Sequence, residues 1–153
     1  MASILIVGAD AGGNVPPALA IATEASRRGH SVTLAGHGSR AAPALPSGIE
    51  LLPLDSLAGH DMTRAIGRFG QMRALGRMGT DRPLAREVAA LIARRQPDAV
   101  VIDCIMMSSL RASLASGVPT AALFHTFGAF MLNAVRPPLN LVSAALGVPA
   151  GRI

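Results

Sequence analysis

The sequence predicts a doubly wound, Rossmann-like α/β domain in which a parallel sheet carries helices on both faces. Three observations support this fold class. Short runs of apolar and β-branched residues alternate with helical segments along the chain. The runs are apolar throughout, as in strands that are buried on both faces. Glycines follow helical segments, where a left-handed residue commonly ends a helix. Because crossovers between parallel strands are right-handed, we expect a doubly wound sheet, and we take for it the strand order 3-2-1-4-5 that is typical of such folds.

Each element has its own signal in the sequence. The predicted strands are residues 3–8, 31–35, 49–54, 99–103 and 120–124. The predicted helices are residues 17–28, 61–78, 82–95, 106–116, 130–135 and 141–146. Gly29 and Gly117 end two of these helices. The segment 61–78 has apolar residues at helical spacing, but its glycines lower its helix propensity.

Composition limits the classes of function. The 153 residues are expected to form one domain, 1–153, and half of them are apolar, which excludes a disordered chain. All 14 basic residues are arginine, and eight of them lie within residues 64–95. A solvated face is the simpler interpretation of this cluster; an anionic partner is the alternative, because guanidinium groups bind phosphate and carboxylate bidentately. With phenylalanine as the only aromatic residue type, no nucleic-acid partner is expected.

The sequence also suggests a compartment. The single cysteine, Cys104, excludes an intramolecular disulfide. No basic segment precedes the first apolar run, as it would in a signal peptide. No uninterrupted run reaches the ~18 apolar residues that a membrane-spanning helix needs. We therefore expect a cytoplasmic protein that does not insert into a membrane.

The turn after the first strand is rich in glycine, but it lacks a phosphate-binding motif. The dinucleotide fingerprint is missing its middle glycine, and the residues after Gly13 are not the Lys and Ser or Thr of a phosphate loop. Pro16 and Pro17 remove two amide donors from the first turn of the next helix. We expect no cofactor and no bound metal. Asn14, at the bend, either caps that helix or faces a cleft.

Three polar residues are predicted to meet at one edge of the sheet. Asn14 follows the first strand, Asp103 ends the fourth and His125 follows the fifth. Ligands of open α/β sheets bind beyond the carboxyl ends of the strands, where the strand order reverses. These residues are therefore the candidate site. Each also has a simpler explanation, since Asp103 can cap the next helix and His125 can be an ordinary buried imidazole.

Two segments resemble the GT-B-fold glycosyltransferases that modify macrolides and other natural products. GGNVPPALAIATEASRRGHSVTLAG, residues 12–36, is similar to the first turn and helix of that family, which closes with Arg-Gly-His before the second strand. PDAVVIDCIMMSSLRASLASGVPTAALFHT, residues 97–126, is similar to its later segment, where an aspartate ends a strand and a helix leads to Gly-Val-Pro. The resemblance implies one half of a GT-B fold.

In such enzymes the N-terminal domain binds the acceptor, and a second domain of similar size binds the nucleotide-diphosphate sugar. The resemblance therefore implies an acceptor-binding domain of an inverting glycosyltransferase, with the nucleotide-sugar donor domain absent from this chain. The 153-residue chain alone is then expected to be inactive.

The resemblance also implies catalytic residues. The usual base of the family is a histidine at the position of Asn14, and an amide cannot accept a proton near neutral pH. Asp103 matches the aspartate that orients this base. Three accounts are open. In the first, Asp103 is itself the base, and in the second His125 is the base, held by Asp103 on the adjacent strand. In the third there is no such base, because the acceptor needs little activation or the protein is catalytically impaired.

An apolar natural-product acceptor is implied, because the region after the third strand lines the acceptor pocket in this family. Methionine adapts well to irregular apolar ligands, although ordinary packing is the alternative. The predicted binding residues are Gly12, Gly13, Asn14, Phe69, Met72, Met106, Met107 and Phe130.

Two other functions are open. One is a non-catalytic binding or scaffold module that needs a partner chain. The other is half of a membrane-associated, lipid-linked sugar transferase, in which the arginines of residues 64–95 and the apolar stripe of residues 62–78 meet anionic lipid.

Overall fold

The structure is a computed structural model. It describes residues 1–9, 13–36, 45, 48–58, 60 and 67–125, without the side chains of residues 67–69, 71 and 72. Its five strands are β1 (Ser3–Val7), β2 (Ser31–Ala35), β3 (Ile49–Leu52), β4 (Ala99–Asp103) and β5 (Thr120–Leu123). They form one parallel sheet of order β3-β2-β1-β4-β5. The predicted fold class, strand order and parallel pairing of the first and fourth strands are confirmed.

The α-helices of the described residues are α1 (Val15–Arg27), α2 (Gly67–Gly79), α3 (Arg82–Arg95) and α4 (Met107–Ala115). α1 begins two residues before the predicted start, because prolines are well tolerated in a first helical turn. α3 has the predicted bounds: the Asp81 carboxylate accepts a hydrogen bond from the Leu84 amide at 2.8 Å, and Gln96 ends the helix in the left-handed conformation. The predicted helices 130–135 and 141–146 lie outside the described residues.

The sheet separates two apolar cores, because successive strand residues point to opposite faces. On one face Leu5 and Val7 of β1 pack with α3 and α4, and on the other Ile6 packs with Ala18 and Ala22 of α1. Burying a Leu or Ile side chain stabilises a fold by roughly 1.5–3 kcal/mol. β1 is therefore the central element, and both cores fix where its carboxyl end lies.

The turn after β2 approaches the end of β1 closely. Gly36 has φ +84, and a Cβ atom there would collide with the carbonyl oxygen of Gly8. Its amide donates to the Leu52 carbonyl at 2.9 Å, while the Gly8 amide donates to Ala35 at 3.0 Å. Only glycine tolerates both the backbone angle and this approach. The carboxyl ends of β1, β2 and β3 are thereby held at one level.

The register places the strand ends of the candidate site side by side. Val7 of β1 pairs with Ile102 of β4, and Asp103 pairs with Leu123 of β5. The residues that follow β1, β4 and β5 therefore leave the sheet at the same edge. No helix in the described part of the chain is both long and apolar enough to cross a lipid bilayer.

Candidate functional site

Asn14 and Asp103 are in direct contact across this edge. Asn14 lies at the cap position of α1, but its side chain makes no capping hydrogen bond. Its Nδ2 atom donates to Asp103 Oδ2 at 2.7 Å instead. The helix-capping alternative for Asn14 is therefore wrong, because its side chain bonds Asp103 and not its own helix. Residues 89 positions apart in the chain are joined at the place where the strand order reverses.

The Asp103 carboxylate is almost fully buried, with 1% of its side chain exposed. Its Oδ1 atom accepts a hydrogen bond from the Ile105 amide at 3.0 Å, and its carbonyl accepts from the Met106 amide at 2.9 Å. These bonds stabilise the turn between β4 and α4, and Asp103 is not the cap residue of α4. Because the amides of Asn14 and Ile105 fix both oxygens, the carboxylate has one defined orientation.

His125 completes the group but is poorly bonded. Its Nε2 atom lies 2.9 Å from Asp103 Oδ1, yet neither ring nitrogen has a hydrogen-bond partner among the described residues. The distance between the two atoms is short enough for a hydrogen bond, but the two groups are out of line. A hydrogen bond weakens steeply when its angle falls below ~120°, so this contact is not one. The side chain is only 10% exposed. Leaving a buried polar group unbonded costs roughly 1–3 kcal/mol, and such groups call for an explanation, often a functional one.

Cys104 lies beside the same two residues. Its thiol sulfur, a carboxylate oxygen of Asp103 and a ring nitrogen of His125 all lie within 4.8 Å of one another. Burial, with the neighbouring Asp103 carboxylate, raises the pKa of the Cys104 thiol to about 11. Nucleophilic cysteines react as thiolates, so Cys104 does not have the properties of a nucleophile at neutral pH. From the sequence, this cysteine indicated only the compartment of the protein, and no role in the site was predicted for it. Its position directly after Asp103 was the signal that it belongs to the group.

The other predicted binding residues lie at different places. Gly13 is exposed at the turn before α1, and Met107 is half-buried at the start of α4. Met106 is fully buried in the core beneath that helix. Phe69 and Met72 lie on α2, but their side chains are outside what the structure describes. Gly12 and Phe130 are outside the described residues.

The carboxyl end of α2 lies next to the candidate site. The Ser108 hydroxyl at the start of α4 donates to the Gly79 carbonyl at 2.9 Å. A Cβ atom at Gly79 would lie 3.1 Å from the carbonyl oxygen of Ile105, in the turn that Asp103 orients. Glycine at this position therefore lets α2 approach the turn closely.

A second His–Asp pair, missed from the sequence, lies at the junction of α2 and α3. His60 Nε2 is 2.7 Å from Asp81 Oδ2 in a well-formed hydrogen bond. The other oxygen of Asp81 caps α3 through the Leu84 amide. Asp81 immediately before Arg82-Pro83 is a typical helix-start signal, but its pairing with His60 depends on tertiary structure.

A recess in the described part of the molecule lies away from these residues. It has a volume of about 200 Å³ and lies at the amino ends of the strands, between Ser3, Ser31 and the end of α3. Arg95 donates to Glu50 at 2.6 Å on its wall. Ligands of open α/β sheets bind at the opposite edge, so we do not assign the acceptor to this recess. The other described arginines of the 64–95 cluster are exposed, in keeping with a solvated face: Arg73, Arg77, Arg82, Arg86 and Arg94.

Solved glycosyltransferases share this fold. The chain matches the glycotransferase of kitacinnamycin with a TM-score of 0.66 and 20% identity, over 97% of this chain and 41% of that one. It matches SsfS6, a glycosyltransferase of Streptomyces sp. SF2575, with a TM-score of 0.57 and 20% identity, over 97% of this chain and 47% of that one. For the glycosyltransferase VinC in complex with dTDP the TM-score is 0.56 and the identity 17%, over 82% of this chain and 35% of that one.

The chain spans less than half the length of each of these three glycosyltransferases. No family model matches the sequence, and no curated protein matches it. The resemblance to GT-B-fold glycosyltransferases is thus confirmed at the level of the fold, of which this chain forms a part.

Proposed function

We propose that this chain is the acceptor-binding half of an inverting glycosyltransferase, which transfers a sugar from a nucleotide-diphosphate sugar to an apolar natural-product acceptor. The observation that carries the proposal is the meeting of Asn14, Asp103 and His125 at the carboxyl edge of the sheet. This edge binds ligands in open α/β folds, and the fold itself is shared with glycosyltransferases.

His125 is the proposed general base. It takes the proton of the acceptor hydroxyl, and the acceptor oxygen then attacks the anomeric carbon on the face opposite the nucleotide diphosphate. The bond between that carbon and the diphosphate breaks, and the configuration inverts. Asp103 stabilises the imidazolium that forms, because its carboxylate lies 2.9 Å from Nε2. Asp103 and His125 are out of line for a hydrogen bond, and catalytic hydrogen bonds often become aligned only in the substrate complex.

Asn14 has a positioning role in this proposal. An amide cannot act as a base, but its Nδ2 atom donates to Asp103 Oδ2 at 2.7 Å. This bond and the Ile105 amide leave the carboxylate few alternative orientations. Asn14 therefore helps to hold the Asp103 carboxylate in place beside His125, and the proposed base lies just after β5 rather than at the turn after β1.

The surface that contacts the acceptor, here called the acceptor wall, is proposed to extend from the turn at Gly13 to the start of α4. Met107 is half-buried and available to touch a ligand. Met106 is fully buried, so in this proposal it supports the wall from beneath. The end of α2 is tied to α4 through Gly79 and Ser108, which brings the helix that carries Phe69 and Met72 to the same side.

The donor nucleotide is proposed to bind a second domain. Pro16 and Pro17 occupy the first turn of α1, so two amides that would face a phosphate are missing from that turn. VinC was solved in complex with dTDP, and this chain spans 35% of its length.

Calorimetric titration of the 153-residue chain tests whether it binds the acceptor and not the nucleotide sugar. Apolar polycyclic and macrocyclic alcohols form one ligand set, and uridine and thymidine diphosphate sugars form the other. We expect saturable heat from acceptors and none from nucleotide sugars. Because the chain has no Trp or Tyr, the fluorescence of an aromatic acceptor can be followed with little protein background. Micromolar binding of nucleotide sugars without acceptor binding would contradict the proposal.

The membrane-associated alternative finds less support in the packing. Met78, at the end of the apolar stripe proposed to meet lipid, is 1% exposed and belongs to the core. The non-catalytic binding module is the outcome if acceptors bind but a two-domain enzyme containing this chain transfers no sugar.

A further inference from the structure

We propose that Asp103, Cys104 and His125 form a binding site for a zinc-like divalent cation. The ligands would be a carboxylate oxygen, the thiolate sulfur and an imidazole nitrogen, with a fourth position open to water. The inference concerns binding and does not depend on sugar transfer. It replaces the sequence-based expectation that the chain binds no metal.

The three ligand atoms are close enough for one ion. They lie within 4.8 Å of one another, and the nitrogen and oxygen are already 2.9 Å apart. Zinc bonds of ~2.0–2.3 Å in a tetrahedron separate neighbouring ligand atoms by roughly 3.6 Å. Side-chain movements of about 1 Å therefore suffice to form the site.

His125 supplies an independent sign of a ligand. Its side chain is nine-tenths buried, and neither ring nitrogen has a hydrogen-bond partner within the described part of the chain. An imidazole that is desolvated and unbonded still has a lone pair available. The Asp103 oxygen beside it is out of line for a hydrogen bond, but a cation between the two atoms would bind both and remove the cost of the unbonded nitrogen.

The carboxylate is oriented as a metal ligand usually is. Asn14 Nδ2 and the Ile105 amide each donate to one oxygen of Asp103. An ionised carboxylate has about four lone-pair sites, so lone pairs remain for a cation. Such partners around a ligand commonly fix its orientation. Asn14 is thus the outer partner of the proposed site.

The ligand types select the metal. Sulfur and nitrogen ligands favour zinc and similar transition ions, whereas Mg²⁺ and Ca²⁺ prefer oxygen ligands throughout. On binding, the Cys104 thiol loses its proton to the buffer, and the sulfur–metal bond replaces the sulfur–hydrogen bond. If His125 is also the base for sugar transfer, bound zinc suppresses transfer, because a cation on the ring lowers its proton affinity and draws the Asp103 carboxylate away from the imidazolium.

Cobalt(II) titration of the metal-free 153-residue chain tests the site, because cobalt replaces zinc and reports its ligands. A sulfur-to-cobalt charge-transfer band in the near ultraviolet can come only from Cys104, the single cysteine of the chain. We expect this band to saturate at one cobalt per chain and zinc to displace it. Zinc should also raise the Tm of the wild-type chain, since a ligand that binds only the folded state stabilises it.

Matched variants separate a built site from a reactive thiol. C104S should lose the band, and H125Q should weaken cobalt binding by more than the ~10–100-fold typical of losing an outer partner. N14A removes that outer partner, so its loss should fall within ~10–100-fold. H60Q is the control, because His60 also lies beside a carboxylate but has no cysteine near it, and its binding should equal the wild type's. Circular dichroism checks that each variant folds.

Three results would overturn the inference. They are the absence of a charge-transfer band at saturating cobalt, a band whose affinity H125Q leaves unchanged, and a stoichiometry of one metal per two chains. The wild-type measurements decide even if a variant fails to fold, because they require no substitution.

Discussion

The two His–Asp pairs of this domain have similar distances but different bonding. At the start of α3, His60 Nε2 donates to Asp81 Oδ2 at 2.7 Å in good geometry, and the other oxygen of Asp81 caps the helix. At the edge of the sheet, His125 lies 2.9 Å from Asp103, yet its ring is unbonded among the described residues. In the first pair both side chains are hydrogen-bonded. In the second pair the ring nitrogens of His125 have no hydrogen bond among the described residues.

In the proposed function, this difference separates a structural pair, His60 and Asp81, from a functional one, Asp103 and His125. Satisfied buried polar groups stabilise a fold, whereas an unsatisfied buried group costs free energy and calls for an explanation, of which a ligand or a catalytic role is one. The location agrees with this distinction, because Asp103 and His125 lie where the strand order reverses, the usual place for a ligand. His60 and Asp81 lie between a short 3-10 turn (Asp55–Leu57) and two helices. Distance alone would have assigned both pairs the same role.

The largest expected effect is on sugar transfer. The assay joins this chain to the donor half of a glycosyltransferase that shares its fold. His125→Ala and Asp103→Ala should each lower the transfer rate by ~10²–10⁴-fold, the usual contribution of a positioned base. His60→Ala should keep the wild-type rate. If both site variants keep wild-type rates while acceptor binding persists, the site is not catalytic and the binding-module function is favoured.

The next effect is on stability and concerns the structural pair. Asp81→Ala removes the carboxylate that caps α3, so the free energy of unfolding should fall by ~1 kcal/mol, the usual cost of losing a helix cap. Urea unfolding followed by circular dichroism measures it. Asp81→Asn is the control, since asparagine caps about as well as aspartate. An alanine variant as stable as the asparagine variant would contradict a capping role.

A smaller effect is the pH dependence of the same carboxyl group. Burial alone would raise the pKa of Asp81, but hydrogen bonds from the Leu84 amide and from His60 outweigh it, and the pKa is lowered. Such a group stabilises the fold above its unfolded-state pKa and loses this contribution as the pH falls through its folded-state pKa. The wild type should exceed Asp81→Asn in stability at neutral pH, and the difference should shrink below about pH 4. A difference that is constant with pH would exclude this explanation.

The smallest effect is expected from restoring histidine at the turn after β1. If His125 already acts with Asp103, Asn14→His should change the transfer rate by less than about tenfold, well below the range for gaining a base. A gain of ~10²–10⁴-fold would instead mean that the base belongs at the turn after β1 and not at His125.

Much of the fold was predictable from local signals. The five apolar runs gave the strands, and α3 begins and ends at the predicted residues because Asp81 and Gln96-Pro97 mark both ends. The observed strand order is the typical doubly wound order that was expected. α1 begins earlier than predicted because the prolines lie within its first turn and not before it.

The site was predictable in position but not in bonding. Strand order brings Asn14, Asp103 and His125 to one edge, and this follows from the sequence. That Asn14 bonds Asp103 and not its own helix depends on a competition between two hydrogen bonds, which only side-chain geometry decides. The same holds for Cys104, which enters the group because the chain turns directly after β4.

Nuclear magnetic resonance of the histidine rings during acceptor titration tests the central claim most directly. The chain has four histidines, and labelling their ring nitrogens with ¹⁵N gives each a distinct set of signals in the 153-residue chain, with no donor domain required. We predict that adding an acceptor shifts the ring signals of His125 and leaves those of His60 unchanged. A saturable shift at His60 with none at His125 would contradict the account, because the satisfied pair would then be the one that meets the ligand.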